Sequence, residues 1–369
     1  MMTDALDRIT IQGFKSIRDL TDFRLGKLNV IVGANGSGKS NLIAFFRLMR
    51  ALIDGQLNRY VRDQGGATDL LFHGRKGTKK MFFETRFGER GFRFSLVPTP
   101  DDTCAIEDEA RYYEHGQTGW WELGDSDNGK SKMVAEVLQN KPDAKYSEKV
   151  FKAITSWQVY HFHDTSSTAT MRGYEIIQDN GFLRHDAANI APFLLHLKTV
   201  FPEIYDQIVD AVRLVIPFFD DFILGKRVDG AKEKVNLSWR QQNSDYPMQP
   251  YHLSDGSIRF ICLATALLQP NLPAIIIIDE PELGLHPAAL VILAELIQSA
   301  AKRTQVIIAT QSPLLIDQFS VNDIIVVNRK DGASHFERLD ESHFNKWLED
   351  YSVGELWVKN VIAGGPTYE

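Results

Sequence analysis

The sequence has almost no cysteine, and the two cysteines that it has stand far apart. Cys104 and Cys262 are the only ones among 369 residues, and neither belongs to a C-x-x-C pair or to a Cys/His array. Disulfide scaffolds and structural zinc sites both need several such residues at close spacing, so both classes are excluded. The pattern favours a protein of a reducing compartment.

Long apolar stretches and net positive charge are missing as well. The apolar run from Ala274 to Ile278, like every other apolar run in the sequence, is far shorter than the ~20 residues that cross a bilayer. The first ten residues lack the basic and apolar regions of a secretory signal. We therefore expect a cytoplasmic protein without membrane contact. The net charge of −7 gives no attraction between the whole molecule and nucleic acid, so DNA contact would need a local basic patch.

Internal repeats and sustained heptads are absent too, so no long coiled-coil arm is expected. What the sequence does have is length, because 369 residues exceed the roughly 250–300 that one core accommodates. We predict an N-terminal part of a nucleotide-binding domain with a β subdomain in residues 1–100, an insert or helical lid in 101–235, and the C-terminal part of the domain in 236–369. Residues 101–165 are polar and are expected to be an irregular surface excursion with some helix.

A glycine-rich phosphate-binding loop is the strongest motif. Residues 33–40 match G-x-x-x-x-G-K-[ST], and the predicted nucleotide contacts are Asn35, Gly36, Ser37, Gly38, Lys39, Ser40 and Asn41. Leu28 to Val32 predicts a buried strand before the loop, and helical apolar spacing predicts a helix after it. In such loops main-chain N–H groups surround phosphate oxygens, the lysine reaches the β- and γ-phosphates, and the hydroxyl binds Mg²⁺. We predict an ATP site with Lys39 as its main cation and Ser40 as a Mg²⁺ ligand.

Two carboxylates end a second apolar strand. Five apolar residues precede Asp279 and Glu280, as in a central parallel strand that delivers side chains to a bound nucleotide. We assign Asp279 to the Mg²⁺ shell and Glu280 to the polarisation of the attacking water. Val306 to Ala309 predicts another buried strand, and Gln311 follows it at the place expected for the γ-phosphate.

The order of five motifs resembles the ABC-type ATPases, and within them the RecF-like and structural-maintenance-of-chromosomes branch, in particular the short ATPases grouped as AAA_21. The motifs are the phosphate loop, "LSDGS" at 253–257, the Asp-Glu pair at 279–280, "ELGLHP" at 282–287 and "TQS" at 310–312. "ITIQGFKSIRDL" near the start and "GELWVKNVIAGGP" near the end look like the same group. The resemblance spans roughly residues 8–75 and 185–365.

The resemblance implies an α/β fold of the ABC-type P-loop class, with a mixed central sheet, an antiparallel β subdomain and a helical insert. It also implies ATP and Mg²⁺ as cofactors and a homodimer that encloses two ATP molecules. In that family the signature motif of one protomer contacts the γ-phosphate held by the other, and Ser254 and Gly256 are the matching positions. A serine hydroxyl with free amides at a helix start is independently an anion site.

Two positions depart from the family pattern. The switch residue, often histidine, is Gln311, which can hydrogen-bond a phosphate but cannot carry a positive charge or a proton. We therefore expect slow hydrolysis. The loop that normally supplies a Mg²⁺-linked glutamine offers only Gln64, in "VRDQGGATDLLFHG", and a simple turn residue is the alternative.

Two other clusters have alternative interpretations. His161, His163 and Asp164 alternate as on a strand and could be metal ligands, but no further Cys/His cluster supports them, so an ordinary strand end is favoured. The basic stretch 75–80 either contacts DNA phosphates or is a solvated turn; its cations are Arg75, Lys76, Lys79 and Lys80.

Two functional classes follow. The first is a nucleotide-driven dimer that senses or clamps DNA and regulates a separately encoded effector, a nuclease or a toxin, in phage defence or repair. The second is a DNA-independent scaffold or toxin-regulating interaction ATPase. ATP-dependent, salt-sensitive DNA binding would favour the first class.

Overall fold

The computed structural model describes residues 5–114, 119–124 and 129–362. The end of the C-terminal motif "GELWVKNVIAGGP", residues 363–366, lies outside them. The described strands, in chain order, are β1 (Arg8–Phe14), β2 (Ile17–Arg24), β3 (Leu28–Val32), β4 (Met81–Phe87), β5 (Arg90–Pro98), β6 (Cys104–Tyr113), β7 (Gly119–Glu122), β8 (Gln158–Tyr160), β9 (Glu175–Ile176), β10 (Phe219–Ile223), β11 (Arg227–Asp229), β12 (Lys232–Val235), β13 (Ser238–Gln241), β14 (Pro247–Met248), β15 (Ile275–Asp279), β16 (Gln305–Thr310), β17 (Ile324–Lys330) and β18 (Ala333–Arg338).

The described helices are α1 (Lys39–Ile53), α2 (Leu57–Asp63), α3 (Ala67–Leu70), α4 (Gly74–Gly77), α5 (Lys132–Leu138), α6 (Ala144–Ser156), α7 (Ile190–Val200), α8 (Pro202–Val215), α9 (Asp255–Leu268), α10 (Pro287–Ala301), α11 (Pro313–Ile316), α12 (Asn345–Leu348) and α13 (Val353–Val358). The longest, α1 and α10, have 15 residues each, so no long coiled coil occurs in the described ranges. None of the helices placed by the structure is long and apolar enough to span a membrane.

A mixed six-stranded sheet forms the centre of the protein. Its strand order is β18-β17-β3-β16-β15-β8. Every neighbouring pair is parallel except β17 and β18, which are antiparallel. Because the carboxyl ends of parallel strands lie at one edge of a sheet, the segments that follow β3, β16, β15 and β8 meet there.

This central sheet separates two hydrophobic cores. Side chains alternate between the faces of a strand, so Ile276 and Ile278 of β15 lie in one core while Ile275 and Ile277 lie in the other. Each such buried side chain contributes roughly 1.5–3 kcal/mol relative to an exposed one, which explains why the strand is apolar on both faces. Helices α7 to α10 fill the first core, and α1 with the antiparallel sheet fills the second. Helices α1 and α9 therefore pack on opposite faces of the central sheet.

The antiparallel sheet has the order β2-β1-β4-β5-β6-β7. It crosses the predicted boundary at residue 100, because β6 and β7 continue it to Glu122. The segment 101–165, expected to be irregular, contains these strands, helices α5 and α6, and β8 of the central sheet. The polar composition of this segment led to the wrong expectation, because it did not show that a charged residue such as Glu109 is fully buried in the fold. The Glu109 carboxylate accepts hydrogen bonds from Ser131 Oγ and from the main-chain N–H of Met133 at the start of α5.

The second predicted boundary, between residues 235 and 236, also falls inside paired structure. A small sheet in the order β10-β13-β14 joins residues on both sides of it. The Trp239 side chain of β13 is buried against Phe219 of β10, with ring centroids 6.0 Å apart. The helical region and the C-terminal part of the chain therefore share one core.

Candidate functional site

Glycines give the phosphate loop its tight path between β3 and α1. A Cβ atom on Gly33 would overlap the main-chain oxygen of Val327, and one on Gly38 would overlap Ser334 Oγ. Gly38 also has a φ of 114°, in the region that favours glycine, directly before α1 begins. Gly36 has a φ of 78°, and a Cβ atom there would have no neighbour within 4 Å, so the loop is open at that point. The loop thus leads into the N-terminus of a 15-residue helix, where unpaired N–H groups and the helix dipole favour anions.

A series of side-chain hydrogen bonds connects this loop to the β1–β2 turn and to β18. Asn41 Nδ2 donates to Ser16 Oγ at 2.6 Å, and Ser16 Oγ shares a hydrogen bond of 2.6 Å with Ser334 Oγ. Ser334 Oγ in turn donates to the main-chain oxygen of Ser37. Asn41, predicted as a nucleotide contact, therefore holds the helix start against the β1–β2 turn. Sequence reasoning missed Ser16 and Ser334; Ser16 lies within the motif "ITIQGFKSIRDL", but nothing in the sequence shows its contact with Ser334.

Lys39 is buried within the loop. Its Nζ donates to the main-chain oxygens of Gly33 at 2.6 Å and Ala34 at 3.2 Å. Burial lowers the pKa of Lys39, and the nearby Glu280, Asp279 and Glu282 carboxylates oppose that shift. The lysine and these acidic groups therefore share one electrostatic environment.

The other predicted loop residues differ in exposure. Ser37 Oγ is buried and has no hydrogen-bond partner among the residues that the structure places. Asn35, Gly36 and Ser40 are exposed at the rim of the loop. A buried hydroxyl without a partner costs free energy, so the loop holds one polar group that a ligand could satisfy.

β15 ends at Asp279, and Glu280 follows directly, beside the phosphate loop. Burial, followed by the neighbouring Glu280 charge, raises the pKa of Asp279. Glu280 has a φ of 46°, which is uncommon for a residue with a Cβ, and its N–H donates to the Ala309 oxygen of β16 at 2.8 Å. Gln311 Nε2 donates to Glu280 Oε1 at 2.8 Å. The structure therefore brings the predicted base and the predicted switch residue into direct contact.

Glu282 lies behind this pair and had no predicted role. Its Oε1 accepts hydrogen bonds from Thr310 Oγ1 at 2.7 Å and from the Gln311 N–H at 2.9 Å. Its Oε2 is buried with no partner in the described part of the chain, and burial raises the pKa of this carboxyl. Glu282 thus fixes the main chain of the switch segment, and its place in the "ELGLHP" motif was the available signal.

The end of β8 places histidines against the acidic strand. His163 Nε2 lies 3.1 Å from the main-chain oxygen of Asp279 and must be the donor, because a carbonyl only accepts. The rings of His161 and His163 stack with centroids 4.0 Å apart, and burial lowers the pKa of His161 to about 4. No group of three or more Cys, His, Asp or Glu side chains in the described ranges could hold a metal ion.

Gln64, the predicted Mg²⁺-linked glutamine, ends helix α2. Its Oε1 accepts a hydrogen bond of 3.1 Å from Lys15 Nζ. His163, in contrast, contacts Asp279 directly. The Mg²⁺ contact of Gln64 stays a prediction.

The "LSDGS" motif forms the capped start of α9. Ser254 is exposed, and its Oγ accepts the N–H of Ser257 at 3.1 Å. The largely buried Arg172 side chain holds this turn through Asp255, at 3.0 Å, and through the Leu253 oxygen, at 3.1 Å. The turn is therefore rigid while Ser254 faces solvent.

The same motif packs against the turn that follows β15. A Cβ atom on Gly256 would overlap the main-chain oxygen of Gly284. Arg259 donates to the Leu283 oxygen in that turn and to the Phe162 oxygen after β8, the latter at 2.9 Å. Within the described chain the Ser254 hydroxyl bonds to Ser257 and not to the phosphate loop, since α9 and α1 pack on opposite faces of the central sheet.

Two of the four cations in the basic stretch at residues 75–80 have carboxylate partners. Arg75 pairs with Asp102 at 2.7 Å, and Lys80 pairs with Glu107 and Asp108 at 2.9 Å each. Lys79 Nζ donates to the main-chain oxygen of Arg75. The solvated-turn interpretation explains these cations without DNA.

The residues present fit ATP and Mg²⁺. A glycine loop with no room for a side chain at Gly33 or Gly38, a buried lysine and an unpaired buried hydroxyl suit a polyphosphate. The hydroxyl of Ser40 and the carboxylate of Asp279 are oxygen ligands of the kind that Mg²⁺ prefers, with phosphates and water completing its shell. Glu280 and Gln311 lie at the same edge of the sheet.

These features define an ABC-type P-loop ATPase of the RecF and SMC branch. A family model described as "AAA domain, putative AbiEii toxin, Type IV TA system" matches residues 28–317. The chain therefore belongs to this family, AAA_21, which confirms the resemblance seen in its motifs.

Relatives in the same branch agree with this assignment. The chain is 26% identical over 275 residues to the DNA replication and repair protein RecF of Porphyromonas gingivalis, an alignment that covers 68% of this chain and 63% of that protein. It thus spans less than two thirds of that relative's length.

Two solved structures share the fold. An SMC head bound to the C-winged helix domain of ScpA superimposes with a TM-score of 0.58 at 18% identity, covering 93% of this chain and 99% of that one. The SMC head domain from Pyrococcus furiosus, with an extended coiled coil and bound to the C-terminal domain of ScpA, gives 0.52 at 16% identity, covering 94% and 99%. At these identities the likeness shows the fold alone.

Proposed function

We propose that the protein binds and hydrolyses ATP, dimerises around two ATP molecules, and regulates a DNA-related process, phage defence or repair, together with a separately encoded nuclease or toxin. The observation that carries the proposal is the convergence of Lys39, Asp279, Glu280 and Gln311 at one edge of the central sheet. A polyphosphate at this edge would meet a cation, a metal-ligand carboxylate, a base and a hydrogen-bond donor together.

Each residue has a distinct task in hydrolysis. Lys39 and the loop N–H groups would bind the phosphates, and Asp279 and Ser40 would hold Mg²⁺, which would supply positive charge beside the transferred phosphoryl group. Glu280 orients the attacking water and accepts its proton. Gln311 positions Glu280 by hydrogen bonding and cannot itself take the proton, which supports slow turnover.

The positions of the phosphate loop and of the "LSDGS" motif on opposite faces of the central sheet support a dimer. Ser254 and Gly256 begin a helix on the face of the central sheet opposite α1. A solvent-exposed serine with helix N–H groups is suited to an anion supplied from outside the protomer. Two identical protomers related by a two-fold axis could each supply this motif to the other's nucleotide.

The proposal of a DNA-related process is based on the relatives of this protein. The RecF relative is named for DNA replication and repair, and the SMC heads are bound to domains of ScpA. One observation supports the alternative, a DNA-independent scaffold or toxin-regulating ATPase: Arg75 and Lys80 of the basic stretch are paired with acidic residues. ATP-dependent DNA binding that weakens steeply with salt would decide between them, because phosphate contacts release counterions.

The experiment that tests the enzymatic proposal is the Glu280→Gln variant. Because glutamine cannot accept the proton, turnover should fall by ~10²-fold or more while ATP binding is retained. Turnover is measured by phosphate release and binding with a fluorescent ATP analogue, with Glu349→Gln, at an exposed position, as the matched control. Turnover equal to that of the wild type would remove Glu280 from its proposed role.

A further inference from the structure

A cleft of about 690 Å³ opens beside the outermost strand of the central sheet. It lies between helices α1 and α2, strand β8 and the segment that contains Phe182 and His185. Its charged lining includes more basic than acidic groups. The cationic and imidazole side chains are Arg47, Arg50, Arg59, Arg184, His161 and His185, and the acidic ones are Asp54 and Asp63.

Both lining carboxylates are already paired. Asp54 accepts Arg50 at 2.9 Å, and Asp63 lies 3.8 Å from Arg59. Arg47 is exposed, and no ion pair or hydrogen bond to its side chain is found among the described residues. Arg184 also has an acidic partner, Asp179, at 2.8 Å. Arg47 therefore gives the cleft a local positive charge on a protein whose net charge is −7.

The floor of the cleft is the outer edge of β8, which is open at Val159. On the outer edge of β8, the Trp157 oxygen accepts Arg50 Nη1 at 3.1 Å, and the N–H of His161 donates to the His185 oxygen at 2.8 Å. Successive residues of a strand direct their N–H and C=O groups to alternate edges. Val159, midway between those two residues, therefore directs both groups into the cleft, where no partner for them is found in the described chain.

The cleft also has an apolar side. Phe182 is 60% exposed at its rim, and Val159 is partly buried beneath it. An exposed phenylalanine beside a free strand edge is typical of a surface that another chain covers.

We propose that this cleft binds an extended, acidic segment of a partner polypeptide, which pairs its main chain with Val159 and places a carboxylate beside Arg47. Addition of a strand to a sheet edge satisfies both the donor and the acceptor of Val159. A phosphodiester backbone carries acceptors only, so it would leave the Val159 carbonyl unpaired. The observations therefore favour a polypeptide over a nucleic acid strand.

The position of the cleft connects it to the ATP site. β8 pairs with β15, which ends in Asp279, and the ring of His161 stacks on His163, which contacts the Asp279 oxygen. A bound segment would lie one strand away from the proposed catalytic carboxylates. Because binding is measured without nucleotide, failure of this inference leaves the ATPase proposal standing.

The test uses a short fluorescein-labelled peptide of alternating glutamate and valine, with anisotropy as the readout on the whole chain. Saturable binding of the peptide is expected. The affinity should fall ~10-fold or more in Arg47→Glu, because a charge that faces the peptide is reversed, and ~3-fold in Arg47→Ala. The Arg18→Glu variant changes the same charge at an exposed site on β2 and should bind as the wild type does.

Two further ligands test whether binding depends on main-chain pairing and whether the cleft prefers a peptide to a nucleic acid. The same peptide N-methylated at alternate residues should bind at least ~10-fold more weakly, since it cannot pair with a strand edge on that side. An oligothymidylate of equal charge should bind more weakly than the acidic peptide. No binding of the acidic peptide, equal binding of its N-methylated form, or tighter Arg47-dependent binding of the oligothymidylate would each overturn the proposal.

Discussion

At the scale of single residues, the sequence predicted the motif positions but not the residues that hold them in place through hydrogen bonds. Motifs and their order predicted Lys39, Asp279, Glu280 and Gln311 as site residues, each at the end of a predicted strand or in the loop that follows one. His163 could not be found in this way, since β8 has only three residues and no sequence pattern shows that it pairs with β15. Glu282 belongs to the quoted motif "ELGLHP", but the sequence does not show that its side chain is buried and bonded to Thr310 and Gln311.

The structure leads to different expectations for His163 and Gln64. His163→Ala removes the donor that fixes the Asp279 main chain, so Mg²⁺-dependent hydrolysis should fall ~10-fold or more, as for residues that orient a metal ligand. Gln64→Ala removes an acceptor for Lys15 and should change hydrolysis less. Phosphate release is measured across a Mg²⁺ titration.

His163→Gln is the matched control for this pair, because the glutamine amide places a donor at about the distance of the imidazole Nε2. It should recover part of the activity that His163→Ala loses. A larger loss in Gln64→Ala than in His163→Ala would restore Gln64 as the residue linked to Mg²⁺.

At the scale of elements, the start of α9 shows what sequence can and cannot predict. Ser254 was predicted to begin a helix as an anion site, and it is the N-cap of α9. The contact of Gly256 with Gly284 was not predictable, because it joins two turns that are distant in the chain. The strands β6 and β7 were missed for a related reason, since the acidic residues of β6 pair with Lys80 or cap α5.

The contact between these turns gives a prediction for Gly256→Ala. Its Cβ would overlap the Gly284 main chain, so the start of α9 must move away from the turn after β15. We expect a loss of ~1–3 kcal/mol in the free energy of unfolding, as for other overpacked sites. ATP binding should persist, because the phosphate loop lies on the other face, while hydrolysis should fall by ~10-fold or more if the motif completes a site.

Urea unfolding and phosphate release are measured on the same preparation. Gly225→Ala is the matched control, because a Cβ there has no neighbour within 4 Å. Wild-type hydrolysis in Gly256→Ala, despite the altered turn, would argue against a role for the motif.

At the scale of the whole molecule, the central sheet divides the proposed site into halves. The phosphate loop and its helix belong to one core, and the helix that begins at Ser254 belongs to the other. The sequence predicted the fold class and both halves through their motifs. It could not show their placement on opposite faces, because that depends on how strands distant in the chain pair with one another.

The central claim is that each ATP is hydrolysed between two protomers, and the most direct measurement mixes two inactive variants. Lys39→Ala removes the main cation of the phosphate loop, and Ser254→Arg places a bulky cation at the face offered to the partner. Each variant alone should be inactive. A heterodimer of the two has one site with both defects and one with neither, so up to about half of its sites should hydrolyse ATP.

The control mixes wild-type protein with the double variant that carries both changes in one chain. In that heterodimer each site has one defect, so neither site should hydrolyse ATP. Phosphate release is measured on heterodimers purified with two different affinity tags. Restored activity for the two single variants, without activity in the control heterodimer, is the predicted result. No restored activity in a heterodimer that demonstrably forms would contradict hydrolysis between protomers and favour a site completed within one chain.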